Sequence, residues 1–273
     1  MASPALPTFT RRAALLLTAL ALAGCAGLNG TSSKVPAGTE VHVMTSGGFT
    51  AAYNELTPRY EQATGQKVRT AYGASMGAAS DSIPSRLSRG EPADIVILAR
   101  PALDALVAQG QVVPGSQVDL VRSAIGFAVR SGTPKPDIST VDALKRTLLA
   151  APSIAYSASA SGTYYETELM KKLGLEEQLK GKSKRILSER VGTVVARGDA
   201  ALGLQQVSEL LPIQGIDYIG PLPAEVQRVT VFSAGISTTS RQPEAARQLI
   251  RYFTSAEAAP AIVKSGLEPV ARP

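Results

Sequence analysis

The chain has one cysteine, Cys25, so it has no internal disulfide and no thiolate cluster for a metal. It has one histidine, His42, which excludes a histidine-cluster metal site and leaves little room for a histidine-based catalytic triad. Within Val41-His42-Val43-Met44 that histidine reads as an ordinary strand residue. Aromatic residues make up 5% of the chain and no Lys/Arg cluster accompanies them, so the composition does not suggest nucleic acid. A phosphate-binding G-x-x-x-x-G-K-[ST] is missing, as is a complete G-x-G-x-x-G after a strand. No internal repeat is visible, and nothing calls for a cofactor or a metal.

The first 24 residues have the three-part layout of an export signal. Arg11 and Arg12 supply positive charge, residues 13–23 are apolar, and small residues lead into Cys25. The apolar run, about 11 residues, is too short to cross a hydrocarbon core of about 30 Å. Leu22-Ala23-Gly24-Cys25 resembles a bacterial lipobox, which implies cleavage before Cys25 and lipidation of its sulfur. Thr10-Arg11-Arg12 resembles a twin-arginine signal. Loss of the two arginines lowers the formal charge from +6 and leaves a modest positive balance that suits small anions. Residues 25–38, rich in Gly, Ser and Thr, read as a flexible tether.

Beyond the tether, strand-like and helix-like segments alternate, which predicts an α/β protein with mostly parallel sheets flanked by helices. Residues 40–44 alternate as a strand. Phe49, Tyr53, Leu56 and Tyr60 mark one face of a helix. Residues 66–71 read as a strand with a helix following to about Arg89, and residues 94–99 as a buried parallel strand. A long strand region spans 118–129, another strand 226–232, and two helices close the chain.

Three strand-to-helix loops are rich in Gly, Ser and Thr: Thr45-Ser46-Gly47-Gly48, Gly73-Ala74-Ser75-Met76-Gly77, and residues 157–163, which hold Ser161 and Gly162. A first helical turn has unpaired N–H groups and about half a positive charge, so each such loop is a ready anion site. Open α/β sheets bind ligands at the carboxyl ends of their strands, where these loops fall. Arg100, Arg122 and Arg190 stand at element ends and are equipped to meet an oxyanion in bidentate fashion. Arg100 and Arg190 are the preferred pair.

Together these features resemble the periplasmic molybdate-type substrate-binding proteins of ABC importers. The matching stretches are the export signal, the strand-Ser-Gly-Gly-helix opening, Ala74-Ser75, Gly90-Glu91-Pro92-Ala93-Asp94-Ile95, Leu173-Gly174-Leu175, residues 198–203, Gly220-Pro221-Leu222-Pro223 and Ala245-Ala246-Arg247. The resemblance covers roughly residues 39–270. It implies a two-lobed periplasmic binding protein fold of type II, with the ligand held in a cleft between the lobes. On that plan residues 39–120 and 225–273 form lobe 1 and residues 121–224 form lobe 2. The family's binding positions fall on Ser46, Gly47, Gly48, Ala74, Ser75, Ser161, Gly162 and Ser188. Gln206 stands where molybdate binders carry a tyrosine, and Gly48 where they usually carry a serine. These departures point away from molybdate itself and toward a larger, planar or multi-carboxylate anion.

The resemblance implies an exported, membrane-anchored, monomeric lipoprotein that captures a small anion and passes it to the membrane permease of an ABC importer. The alternative is an enzyme. The same resemblance group includes an exported aconitate isomerase, which shifts a double bond in a tricarboxylate by proton transfer. Such chemistry needs a positioned acid and base, and Tyr164, Tyr165, Glu166 and Glu189 are the candidates near the expected cleft.

Overall fold

The computed structural model describes Met1, Ala2, Pro36 and residues 38–270. The export signal, Cys25 and most of the tether lie outside the described residues.

The fold begins with strand β1 (Glu40–Thr45) and helix α1 (Gly47–Thr64). Val41 and Val43 lie on the buried face of β1, as alternation requires. Phe49, Tyr53, Leu56 and Tyr60 form the buried stripe of α1, and the Phe49 ring meets Phe253 edge-on at 5.4 Å. Each such ring buried from water contributes about 2–3 kcal/mol. Gly65 ends the helix in the left-handed region, φ 71°, with its N–H bonded to Glu61 O.

Next come β2 (Lys67–Tyr72), a short α2 (Ile83–Ser88), β3 (Ile95–Ala99), α3 (Arg100–Ala108) and β4 (Val118–Ser123). The helix expected from the end of β2 is confined to α2. Residues 73–82 run irregularly, and the helix starts only where Ser82 Oγ accepts from Ser85 N and a proline occupies its first turn. The long strand region is two strands broken at Ala124, because β5 (Ile125–Arg130) pairs in a different sheet.

That second sheet is completed by β6 (Ile154–Ser157), β7 (Ser183–Ile186), β8 (Leu202–Gln206) and β9 (Ile216–Pro221). Around it pack α4 (Val141–Ala150) and a continuous helical stretch over 160–173. That stretch consists of α5 (Ala160–Tyr164), a π-turn (Tyr165–Leu169) and α6 (Met170–Leu173). Then come α7 (Glu176–Lys180), α8 (Val191–Ala196) and α9 (Val207–Leu210). The chain returns to the first sheet with β10 (Thr230–Ile236), α10 (Pro243–Phe253), α11 (Ala259–Lys264) and β11 (Glu268–Pro269).

The strand orders are β11-β4-β10-β3-β1-β2 and β7-β6-β8-β5-β9. Each sheet has its own apolar core, one centred on Phe49, Tyr53 and Phe253, the other on Phe127, Tyr165 and Leu204. This is the two-lobed α/β architecture. The sheets are mixed rather than mostly parallel: β1 runs parallel to β2 and β3, and β6 to β7 and β8, while β4, β5, β9 and β10 pair antiparallel to their neighbours. The antiparallel strands are those that carry the chain from one lobe to the other and back, a reversal that strand–helix alternation does not reveal. Among the described residues no helix is long and apolar enough to cross a membrane. No group of three or more His, Cys, Asp or Glu residues among them is gathered to hold a metal ion.

Asp94, in the Glu91-Pro92-Ala93-Asp94 stretch, ties lobe 1 together. Its Oδ1 accepts from Ser240 Oγ at 2.7 Å and from the amides of Arg241 and Gln242 at 2.9 and 3.0 Å, and its Oδ2 accepts from His42 N at 2.8 Å. It thereby organises the turn that leads into α10.

Candidate functional site

A cavity of about 340 Å³ opens between the two sheets, at the carboxyl ends of β2, β6, β7 and β8. From lobe 1 it is lined by Gly47, Thr50 and Asn54 of α1, by Tyr72, and by Gly73, Ala74 and Asp81. From lobe 2 come residues 157–159, residues 186–190, Gln205 and Glu209. The volume suits a small molecule.

Among the expected site residues, Gly47, Ala74, Ser188, Glu189 and Arg190 line this cavity. Gly47 has no room for a side chain, since an added Cβ would overlap the Glu209 carboxyl. The amides of Gly47 and Gly48 donate to no acceptor among the described residues, as expected of the first turn of α1. Ser46 caps that turn in extended conformation. Its Oγ is buried without a hydrogen-bond partner, and the residue does not line the cavity.

Other expected residues stand behind the wall. Gly48 packs its Cα against the Phe232 ring, and its carbonyl accepts from Ser208 Oγ at 2.7 Å. Ser75 Oγ accepts from Ala99 N at 2.9 Å, pinning the second loop to the end of β3. Ser161 Oγ lies 3.1 Å from Ser157 Oγ, and Gly162 leaves space for the Ser157 carbonyl.

Five further expected residues do not line the cavity: Arg100, Gln206, Tyr164, Tyr165 and Glu166. Arg100 is spent on Asp104 at 2.8 Å and Asp119 at 2.7 Å and does not line it. Gln206 faces the crossover instead: its amide reaches Thr230 Oγ1 at 2.9 Å, and with the nitrogen turned the other way it donates to Ser123 Oγ at 2.9 Å and Ala124 O at 3.1 Å. We favour the turned orientation because it satisfies both ends of the amide. Tyr164 donates to Val226 O at 2.7 Å under the Arg228 guanidinium, and Glu166 sits 3.8 Å from Arg185. Tyr165 is likewise internal, its hydroxyl 2.8 Å from Ser183 Oγ. Glu189 does face the cavity, but Arg197 holds it through two bonds of 2.7 and 2.8 Å and keeps its carboxyl below the usual range.

The residues missed by sequence reasoning are Gln205 and Glu209. Burial pushes the Glu209 carboxyl from 4.5 up to about 7, against the opposing pull of Arg190 and of the Gln205 hydrogen bond. Glu209 Oε1 accepts from Gln205 Nε2 at 3.0 Å, and Gln205 Oε1 accepts from Val191 N at 3.0 Å. Arg190 forms no ion pair with a carboxylate among the described residues. The cavity therefore offers a guanidinium outside any ion pair among the described residues, helix-end amides, several hydroxyls and one buried protonatable acid. That set fits a small anion with more than one acidic group.

Residues 41–268 match the family model described as bacterial extracellular solute-binding protein. An aconitate isomerase from Pseudomonas sp. is 49% identical over 232 residues, covering 85% of this chain and 88% of that protein. Among solved structures, the Azotobacter vinelandii periplasmic molybdate-binding protein superposes with a TM-score of 0.69 at 20% identity, covering 85% of this chain and 100% of that one. The sulfate-binding protein SubI of Mycobacterium tuberculosis H37Rv gives 0.65 at 20% identity, covering 85% and 87%. The chain belongs to the bacterial extracellular solute-binding proteins, on the type II periplasmic binding fold.

Proposed function

We propose that this chain binds a small unsaturated polycarboxylate in its cleft and moves the double bond by proton transfer, as an exported isomerase of the aconitate type. The observation that carries this reading is a single cavity holding both an arginine outside any ion pair among the described residues, Arg190, and a buried acid raised to about 7, Glu209. Simple capture requires only the first feature. Allylic proton transfer needs both: cationic and N–H donors to hold carboxylates, and a group that gives and takes a proton near working pH. The likeness to a protein named aconitate isomerase over 85% of the chain supports the same reading. The first turn of α1, Arg190 and the hydroxyls of Ser157, Ser159 and Ser188 are the groups proposed to hold the carboxylates. Purified protein incubated with cis- or trans-aconitate and followed by ultraviolet absorbance is expected to interconvert them. Unchanged spectra with millimolar substrate and micromolar protein would refute the reading.

A second reading is favoured by the family and by the lipobox-like Leu22-Ala23-Gly24-Cys25: capture of a small anion for the permease of an ABC importer by a monomer anchored through Cys25. Calorimetric titration with molybdate, sulfate and tricarboxylates separates the two, since binding without turnover supports capture alone. Metabolic labelling with a radioactive fatty acid that disappears in Cys25→Ala would support the anchor.

A further inference from the structure

We propose that Glu209 is the catalytic residue that carries the proton between the two ends of the substrate's allylic unit. This assignment rests on the isomerase reading above.

The placement of its two oxygens is the basis. Glu209 lies on α9 directly after β8, so its side chain enters the cavity from the carboxyl end of the second sheet. Oε1 is fixed by the 3.0 Å bond from Gln205 Nε2. The Gln205 amide cannot turn over, because its own oxygen accepts from Val191 N at 3.0 Å. Oε2 accepts no hydrogen bond among the described residues, and it is not one of the fully enclosed unpaired atoms, so it keeps contact with the cavity. One oxygen is therefore held and the other presented. Gly47, with no side chain, lets the carboxyl lie directly against the head of α1, where the substrate's carboxylates are held.

The other titratable groups at the cavity are less suited. Glu189 is clamped by Arg197, Asp81 is only half-buried, and Tyr72 donates its phenol to Asn54 Oδ1 at 2.7 Å. Burial raises the Tyr72 phenol above its ordinary value. Arg190 is the cation that shares the cavity with Glu209 and favours its ionised form.

The step balances without a co-reactant. Ionised Oε2 takes a proton from the methylene carbon as that C–H bond breaks. The electron pair spreads across the three-carbon unit and into a carboxylate. The protonated Oε2 then returns the proton to the former vinylic carbon, where a new C–H bond forms, and the double bond has moved by one position. One carboxyl serves both ends because the two carbons are separated by a single atom.

The test uses the full chain as wild type, Glu209→Gln and Glu209→Asp. Tricarballylate, the saturated analogue, serves as the binding probe, and trans-aconitate in deuterated water as the substrate, read by proton magnetic resonance. The expected result is deuterium entry and isomerisation by wild type, with kcat/KM rising through about pH 7 as one group ionises. Glu209→Gln is expected to bind tricarballylate like wild type and to lose about 100-fold or more in both exchange and isomerisation. Glu209→Asp should keep binding and part of the exchange. An active wild type with an equally active Glu209→Gln overturns the assignment and leaves the isomerase reading standing. Folded variants that both lose tricarballylate binding also overturn it, because Glu209 would then hold ligand rather than move protons. An inactive wild type overturns the isomerase reading itself.

Discussion

Replacing Glu209 with Gln removes one titration from the folded protein and keeps an oxygen to accept from Gln205 Nε2. Burial raises the folded carboxyl from 4.5 to about 7, whereas the unfolded chain titrates it normally. A raised carboxyl means that the folded state holds the proton over a range where the unfolded state has released it. Its contribution is complete below the unfolded value and is lost as pH rises through the folded one. Each unit of difference corresponds to about 1.4 kcal/mol, so wild type loses about 3 kcal/mol across this window that Gln cannot lose. The unfolding free energy of Glu209→Gln minus that of wild type should therefore grow in favour of the variant by up to about 3 kcal/mol between mildly acidic and mildly alkaline pH. Opening of the cleft hydrates the carboxyl and lowers the figure. Urea unfolding of both proteins at several pH values, without ligand, measures it. A difference that stays flat across that range would show that the carboxyl is not desolvated in the folded protein and would refute the reasoning.

Other outcomes follow from the same contacts. Arg190→Gln should weaken binding of tricarboxylates by roughly 10- to 100-fold in calorimetric titration, the worth of one charge-assisted contact, with little change in unfolding midpoint. Arg100→Gln should leave binding unchanged and cost under about 1 kcal/mol by urea unfolding, because its pairs with Asp104 and Asp119 are partly solvated. Gly162→Ala should cost about 3 kcal/mol or more, since its Cβ would overlap the Ser157 backbone carbonyl, which cannot swing aside. Asp94→Ala should cost about 3 kcal/mol by the same assay by stranding the donors of His42, Ser240, Arg241 and Gln242.

Much of the fold was legible because it rests on local patterns. The aromatic stripe of α1 and the apolar run of β3 place those elements directly, and the Gly-Ser loops fall at strand ends around the cavity. What the sequence concealed depends on partners far along the chain. Arg100 and Arg190 have the same local signature, an arginine where a helix opens. They differ in fate because Asp104, one turn on, and Asp119 neutralise the first, while no carboxylate pairs with the second among the described residues. The Asp104 partner was visible at its i,i+4 spacing. Gln205 and Gln206 show how much one residue matters in a strand: successive side chains point to opposite faces, so Gln205 reaches Glu209 and Gln206 the crossover. Glu209 lies in a four-residue helix between Ser208 and Leu210, and α1 meets its carboxyl at Gly47 from the other lobe, a contact no local pattern reveals.

The bond from Ser208 Oγ to the Gly48 carbonyl has a mechanical consequence. It fastens α9, which belongs to the second lobe, to the first turn of α1, which belongs to the first. A rotation that parts the lobes without breaking this bond has its axis close by. Displacement then grows with distance from that axis, and the 3.5 Å contact of Thr163 Oγ1 with Met76 Sδ is a second link between the lobes that such a rotation would part. Glu209, one residue from the pivot, would hardly move relative to the helix end. The acid and the amides of α1 would keep their spacing through such a rotation.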